Sequence, residues 1–225
     1  MARRERPHIS TRKEPKQQRS STLVAAILDA AVQVLEREGA HRFTTARVAD
    51  RAGVSVGSLY QYFPNKAAIL FRLQSDEWKR TGEALSAILE DRAVPVAVRL
   101  RRLVHAFLQS ECDEARVRLA LDDAAPLYRD APEARAAKAE STGIYERFMG
   151  ETLPGLAPVR RRRVADLLKM TLTQVGKAFS ESPRSAREIA SYADAMADMF
   201  DAYLSRVSSA APTTRRVNRA SRRRS

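Results

Sequence analysis

The segment from residue 55 to residue 63 is polar, and its side chains suit the recognition of DNA base edges. At helical spacing only Leu59 and Phe63 share an inward face, so this helix is too polar to be core. In the major groove, a glutamine amide suits adenine and a valine side chain suits the methyl group of thymine. The residues expected to point outward are Ser55, Val56, Ser58, Gln61 and Tyr62, and the first four are the candidates for base contacts.

The residues before this segment predict the first half of a helix-turn-helix. A short helix begins at a threonine cap and places Val48 and Ala49 on one face. Gly53 supplies the left-handed backbone of a tight turn, Val54 fills the turn, and Ser55 is a natural cap for the second helix. A helix-turn-helix lays its second helix in the major groove, so we expect double-stranded DNA as the partner.

Lys66 and Gly57 carry energetic costs that contact with DNA would offset. Lys66 follows Asn65, the expected helix cap, and the helix dipole disfavours a cation in the first turn by about 0.3–1 kcal/mol. A phosphate bound at that helix end would make the position of the lysine charge favourable. The alternative is a lysine that is simply solvated. Gly57 costs about 1 kcal/mol relative to alanine inside a helix, which a close approach to DNA or to a neighbouring helix would offset.

The run from Ser55 to Leu70 resembles the signature of the tetracycline-repressor (TetR) family of bacterial transcription regulators. Thr22 to Gly39 resembles the first helix of that family, and the likeness covers roughly residues 20 to 75. The matching pattern is a small residue, Leu, Tyr, an aromatic residue, Phe and Lys at fixed spacing. This chain has Ala46 where some relatives have an arginine. The resemblance implies a homodimeric repressor that leaves a palindromic operator when its C-terminal domain binds a ligand.

The resemblance also implies which residues contact DNA. Tyr60 and Tyr62 resemble the phosphate and groove contacts of the family, and Lys66 resembles its phosphate contact. Partial core packing is the alternative for each tyrosine, more so for Tyr60, which borders the face of Leu59. The complete expected set is Arg19, Thr44, Thr45, Ser55, Val56, Gly57, Ser58, Tyr60, Gln61, Tyr62 and Lys66.

Basic residues concentrate at the two ends of the chain. Of the net charge of +13, residues 1–20 contribute +5 (seven Lys/Arg, two Glu) and residues 208–225 contribute +6 (six Arg), which leaves +2 for residues 21–207. Both ends have almost no large apolar residues, so we expect a disordered basic arm at 1–20 and a disordered basic tail at 208–225. Such an arm suits phosphates or the minor groove, and the alternative for each end is a solubilising segment.

Amphipathic patterns separated by Gly and Pro predict an all-α fold for the rest of the chain. We expect a helix-turn-helix DNA-binding domain at 21–65 and a helical regulatory and dimerisation domain at 66–207. No segment has the alternation of a strand. The predicted helices span about 22–38, 66–90, 95–110, 114–128, 130–152 and 159–181, and a capping box at Ser185 begins the last one.

The last two predicted helices carry more apolar residues than one buried face requires. The resemblance implies a four-helix dimer interface here, which would set two recognition helices about one turn of DNA apart. Packing within one chain is the alternative. The expected interface residues are Leu168, Val175, Phe179, Met196, Met199, Phe200 and Tyr203.

Aromatic and methionine side chains between about 94 and 181 predict a small-molecule site. Flexible methionines and flat rings adapt to varied shapes, so we expect a small apolar or aromatic ligand, with simple core filling as the alternative. The acidic group at Glu111, Asp113, Glu114, Asp122 and Asp123 either recognises a cationic ligand or forms a solvated face. The expected lining is Leu103, Phe107, Leu119, Tyr128, Tyr145, Phe148, Met149, Met170 and Gln174.

Sequence motifs of other protein classes are missing. The three histidines have no metal-ligand spacing, and the eight glycines form no P-loop, dinucleotide fingerprint or nucleophile elbow. His105 and Cys112 share a helix face, but core or surface positions are the favoured interpretation. The single cysteine excludes an internal disulfide, and no long apolar run or signal-peptide core is present. We therefore expect a cytoplasmic, non-enzymatic DNA-binding protein without metal or cofactor, with a ligand-independent architectural or nucleoid protein as the alternative.

Overall fold

The computed structural model describes residues 9–12, 18–140 and 143–210, and every regular element in these ranges is helical. This confirms the predicted all-α fold. Residues 1–8, 13–17 and 211–225, which make up most of the two predicted disordered ends, lie outside the described residues. The helices are α1 (Gln18–Arg42), α2 (Thr45–Arg51), α3 (Val56–Tyr62), α4 (Lys66–Glu90), α5 (Val96–Asp113), α6 (Ala115–Ala124), α7 (Pro132–Glu140), α8 (Gly143–Thr152), α9 (Pro158–Ser180) and α10 (Ala186–Ser209), with a 3₁₀ turn over Ala125–Leu127.

Side-chain capping hydrogen bonds begin α2, α3, α4 and α10. The predicted helix over 66–90 coincides with α4, and the Ser185 capping box that begins α10 has both of its hydrogen bonds. Gly39 has φ +70°, which interrupts the helical backbone of α1 where the sequence predicted its end.

The predicted single helix over 130–152 is wrong, because α7 and α8 are separate helices. Their buried residues belong to different cores: Ala134 of α7 packs in the same core as α1, whereas Phe148 of α8 packs with α5 and α9.

Two hydrophobic cores divide the described residues into a head and a body. The head core joins α1, α2, α3 and the first half of α4, and the body core joins the second half of α4 with α5, α8, α9 and α10. Leu73 belongs to the head core and Leu85 to the body core, so α4 runs through both. This continuity gives the head and the body one shared helix.

Helix α6 also touches both parts of the molecule. Leu121 and Ala124 are buried in the head core, where α6 packs against α1. Arg118 of α6 contacts Glu77 of α4 and Glu111 of α5. Helix α6 therefore lies between the DNA-binding head and the interior of the body.

Residues Ile9–Arg12 pack against the head. Ile9 is buried in the head core, Ser10 Oγ donates to Glu133 Oε1 of α7 at 3.0 Å, and the Arg12 N–H donates to the Tyr62 carbonyl at 2.8 Å. The prediction of a disordered arm through residue 20 is therefore wrong for residues 9–12, and it is also wrong for residues 18–20, which belong to α1.

Candidate DNA interface and ligand cavity

The helix-turn-helix is built by the caps that the sequence predicted. The Thr44 side chain accepts a hydrogen bond from the Arg47 N–H at 3.3 Å and begins α2, and Ser55 Oγ accepts from the Ser58 N–H at 3.0 Å and begins α3. Gly53, between the two helices, has φ +67°. The three predicted local features are confirmed, and together they fix the direction in which α3 leaves the turn.

Helix α3 presents a mixed polar and apolar face to solvent. Val56 and Tyr60 are each 39% exposed, and Gln61 is exposed as well. The hydroxyls of Ser55 and Ser58 lie 2.8 Å apart. These side chains are accessible to a molecule that approaches α3, and the amide and hydroxyl groups can both donate and accept hydrogen bonds.

The exposure of the two tyrosines of α3 is the reverse of the prediction. Tyr62 is 6% exposed in the head core, so the prediction that it points outward is wrong. Tyr60 was expected to be the more buried of the two, yet its hydroxyl lies at the surface, 3.1 Å from Thr45 Oγ1. Helical geometry explains the exchange, because Tyr62 is the i+3 neighbour of Leu59 whereas Tyr60 is turned about 100° away.

Lys66 and Gly57 remain available to DNA. Lys66 is the first residue of α4 and is partly exposed, and the cap Asn65 accepts from the Ala68 N–H at 2.9 Å. A Cβ atom built on Gly57 would meet only Ser55 Oγ, at 3.8 Å, so packing against a neighbouring helix does not account for this glycine. Arg19 belongs to α1, but its side chain lies outside the described residues.

A cavity of about 990 Å³ lies among α4, α5, α6, α8 and α9. Four of the nine predicted lining residues border it: Phe107, Leu119, Tyr145 and Gln174. Burial raises the pKa of the Tyr145 phenol to about 12, so this side chain stays neutral.

The other five predicted lining residues lie elsewhere. Leu103 and Met149 are buried in the body core, and Phe148 borders a separate cavity of about 280 Å³. Tyr128 belongs to the head core, where its hydroxyl donates to the Leu121 carbonyl at 3.1 Å. Met170 is 64% exposed, because the buried face of α9 carries Leu168 and Leu172, two residues to either side of it.

Glu111 of the polar wall of the cavity was named from the sequence, but Glu77 and Arg118 were missed. Glu77 and Glu111 are buried, and the Arg118 guanidinium contacts both, with 2.8 Å between Arg118 Nη2 and Glu77 Oε1. Burial raises the pKa of each carboxyl group, although Arg118 acts in the opposite direction. A signal was present in the sequence, since Gln74, Glu77 and Thr81 occur at i, i+3 and i+7 on one face of α4.

The predicted dimer interface is partly intrachain core. Leu168, Met196 and Phe200 are 3–5% exposed in the isolated chain because α5 and α9 pack with α10 in the body core, so their assignment to a free interface is wrong. Val175 and Phe179 are half-buried, and the Phe179 ring stacks on Tyr192 at 4.4 Å. Exposed apolar side chains remain on α9 and α10: Leu167, Met170, Met199 and Tyr203.

Two further observations concern metals and membranes. In the part of the chain that the structure describes, no three His, Cys, Asp or Glu side chains form a group able to hold a metal ion, and His105 instead lies 3.0 Å from Asp194. None of the described helices is both long and apolar enough to cross a membrane.

The head and the body together define a helix-turn-helix protein with a partly open cavity among its helices. A family model described as bacterial regulatory proteins of the tetR family matches residues 27–73. A second model, described as the tetracyclin repressor-like C-terminal domain, matches residues 95–207. The chain therefore belongs to the TetR family of bacterial regulators, as its sequence resemblance implied.

Individual curated relatives resemble only part of the chain. The chain is 34% identical over 67 residues to the fatty acid metabolism regulator protein of Bacillus subtilis, covering 30% of this chain and 34% of the relative. It is 37% identical over 83 residues to the nucleoid occlusion factor SlmA of Vibrio campbellii, covering 36% and 42%. The chain thus spans well under half the length of these curated relatives.

A solved structure has the same fold over most of the chain. It is the transcriptional regulator FadR of Bacillus subtilis in complex with stearoyl-CoA, with a TM-score of 0.61 and 18% identity, over 79% of this chain and 97% of that one. At this identity the likeness extends to the fold alone.

Proposed function

We propose that this protein is a homodimeric transcription repressor that binds a palindromic operator through α3 and releases it when a small molecule enters the body cavity. The observation that carries the DNA-binding part is the exposed polar face of α3, held by the caps at Thr44 and Ser55. The cavity of about 990 Å³ supports the ligand-responsive part, because it is large enough for a drug-sized molecule.

On this proposal one group of residues contacts the bases and another contacts the phosphates. Ser55, Val56, Ser58 and Gln61 read base edges, with Gln61 suited to adenine. The phosphate contacts come from residues at the ends of helices and from the N-terminal arm: Arg19, Thr44, Thr45, Tyr60 and Lys66, with Gly57 allowing close approach. The ligand is a small molecule with apolar or aromatic groups. A regulator of this kind works where the bacterial chromosome lies, in the cytoplasm.

The first experiment selects binding sites from a random duplex library with the wild-type protein and with Gln61→Ala. We expect a palindromic consensus for the wild type and relaxed preference at one position of each half-site for the variant, a change worth about 1–3 kcal/mol of discrimination. Selection without any consensus would contradict the operator proposal.

Lys66→Ala tests the phosphate contact. We expect weaker binding to all sequences and a slope of log affinity against log salt smaller by about 0.9 per contact, because one fewer counterion is released. Lys79→Ala is the matched control, since Lys79 lies on the same helix with a 75% exposed side chain. An unchanged salt slope for Lys66→Ala would remove this residue from the interface.

A nucleoid-associated role is the second candidate, and the similarity to SlmA is the observation that favours it. Such a protein needs a DNA site but no regulated promoter. Mapping bound fragments across a genome separates the two: a few promoter sites support the repressor, whereas many sites spread along the chromosome support the nucleoid role.

A further inference from the structure

The walls of the body cavity are of two kinds. Trp78, Phe107 and Tyr145 contribute aromatic rings, and the buried carboxylates of Glu77 and Glu111 contribute negative charge. A purely apolar ligand would make no polar contact with this second wall. Aromatic faces and carboxylates together are the two features that recognise organic cations.

The ion network at this wall carries an excess of carboxylates. Arg118 contacts Glu77, Glu111 and Glu114, and Arg80 adds a second cation at 3.2 Å from Glu114. Two cations therefore face three carboxylates, which leaves one negative charge beside the cavity. An incompletely compensated carboxylate is costly away from water, so a positive charge placed beside it is stabilised.

The hydrogen bonds hold Glu77 as an acceptor. Thr81 Oγ1 donates to Glu77 Oε1 at 3.0 Å, Gln74 Nε2 donates to Glu77 Oε2 at 3.1 Å, and Arg118 adds a third donor. Donors directed at both oxygens favour the ionised carboxylate. These donors oppose the effect of burial, which raises the pKa of Glu77, and they hold both carboxyl oxygens in position.

Two other cations of the lining have partners of their own. Lys177 Nζ lies 2.5 Å from Asp122 Oδ2, and the Arg184 guanidinium lies 4.6 Å from the Phe179 ring centroid. These groups do not neutralise the Glu77 and Glu111 wall.

We propose that the effector of this protein is an organic cation with aromatic or apolar groups, whose positive charge lies against Glu77 and Glu111. This inference rests on the proposed ligand-responsive function and defines the charge of the ligand. It predicts discrimination between molecules of equal shape and opposite charge.

The test uses three probes without DNA: tetraphenylphosphonium, neutral triphenylphosphine oxide and the tetraphenylborate anion. Trp78 is the chain's single tryptophan and lines the cavity, so its fluorescence reports occupancy directly. We expect tetraphenylphosphonium to bind at least about tenfold more tightly than either other probe, a preference of about 1.4 kcal/mol. Equal or tighter binding of the neutral or anionic probe, or no binding of any probe, would overturn the inference.

The variant Glu111→Gln tests whether the positive charge of the ligand lies against Glu111. We expect the variant to lose most of the preference for tetraphenylphosphonium while its affinity for triphenylphosphine oxide stays within about twofold, because shape is preserved. Glu83→Gln, at a 68% exposed position outside the cavity, should keep the wild-type preference. If circular dichroism shows Glu111→Gln to be unfolded, Glu77→Gln takes its place, and the wild-type comparison of the three probes decides the inference without any variant.

Release of operator DNA is measured separately. A protein that prefers tetraphenylphosphonium yet keeps its DNA contradicts the proposed release mechanism and leaves the charge preference standing. If the protein releases DNA with the neutral probe as readily as with the cation, the proposed release mechanism stands and the charge preference of the effector is contradicted.

Discussion

Gly176 controls how closely α9 approaches α5. A Cβ atom at this position would lie 2.9 Å from Phe107 Cε1 and 3.2 Å from Glu111 Cγ, and both of these residues line the cavity. The absence of a side chain therefore sets the position of one aromatic and one acidic group of the proposed ligand site.

Gly176→Ala should lower the free energy of unfolding by about 1 kcal/mol. Overpacking costs about 1–3 kcal/mol, and the higher helix propensity of alanine recovers about 1 kcal/mol of this. Gly82→Ala is the control, since a Cβ atom there would meet nothing within 4 Å. We expect that variant to gain about 0.5–1 kcal/mol in urea denaturation. Equal stabilisation of both proteins would show that the contact at Gly176 relaxes without cost.

The roles of single residues could be predicted where they depend only on neighbours close in the sequence. The caps at Thr44 and Ser55 and the turn at Gly53 depend on neighbours within a few positions, and the structure has all three. Tyr60 and Tyr62 depend on how α3 rotates against the head core, which a short helix of mixed polarity does not specify. Sequence spacing therefore located the recognition helix but misassigned which tyrosine is accessible.

At the scale of helices, α10 has two apolar faces. Met196 and Phe200 pack inside the chain, while Met199 and Tyr203 are 50% and 36% exposed. An apolar stripe in the sequence does not distinguish core from interface, since both require the same residue types. This is why the predicted interface combined residues of both faces.

Met199→Asp combined with Tyr203→Asp should convert the expected dimer into monomers. Two carboxylates placed in an apolar interface lose hydration without gaining partners, so we expect the dissociation constant to rise by at least about 100-fold. Ser205→Asp is the control, because Ser205 is exposed and lies two residues beyond Tyr203, on another side of α10. Sedimentation velocity measures the change, and an unaltered dimer would exclude Met199 and Tyr203 from the contact.

At the scale of the whole molecule, the basic ends of the chain leave different parts of the fold. Ile9 is buried in the head core, and Arg12 donates to the end of the recognition helix. By contrast, α10 packs in the body core and leads to the C-terminal tail. The described residues Ile9 and Arg12 therefore lie beside the helix-turn-helix, whereas α10 ends in the body.

Deleting residues 1–8 should weaken DNA binding more than deleting residues 211–225. The first deletion removes three arginines and the second removes six. Position in the fold therefore predicts a larger effect of the first deletion, whereas the number of arginines alone predicts a larger effect of the second. Each lost phosphate contact should lower the salt slope by about 0.9 in filter binding or fluorescence anisotropy. The deletion of 1–8 stops before Ile9 and so spares the head core. A larger effect of the C-terminal deletion would favour the nucleoid role.

The position of α6 makes the two ligands of the proposed repressor effectors of each other. Its Leu121 lies in the head core, and its Arg118 lies at the cavity wall. Thermodynamic reciprocity requires that, if a bound cation weakens the affinity for operator by some factor, bound operator weakens the affinity for the cation by the same factor, typically about 5–150-fold. On the proposed function, the concentration of effector needed for half-occupancy therefore rises with the fraction of the protein that already holds its operator.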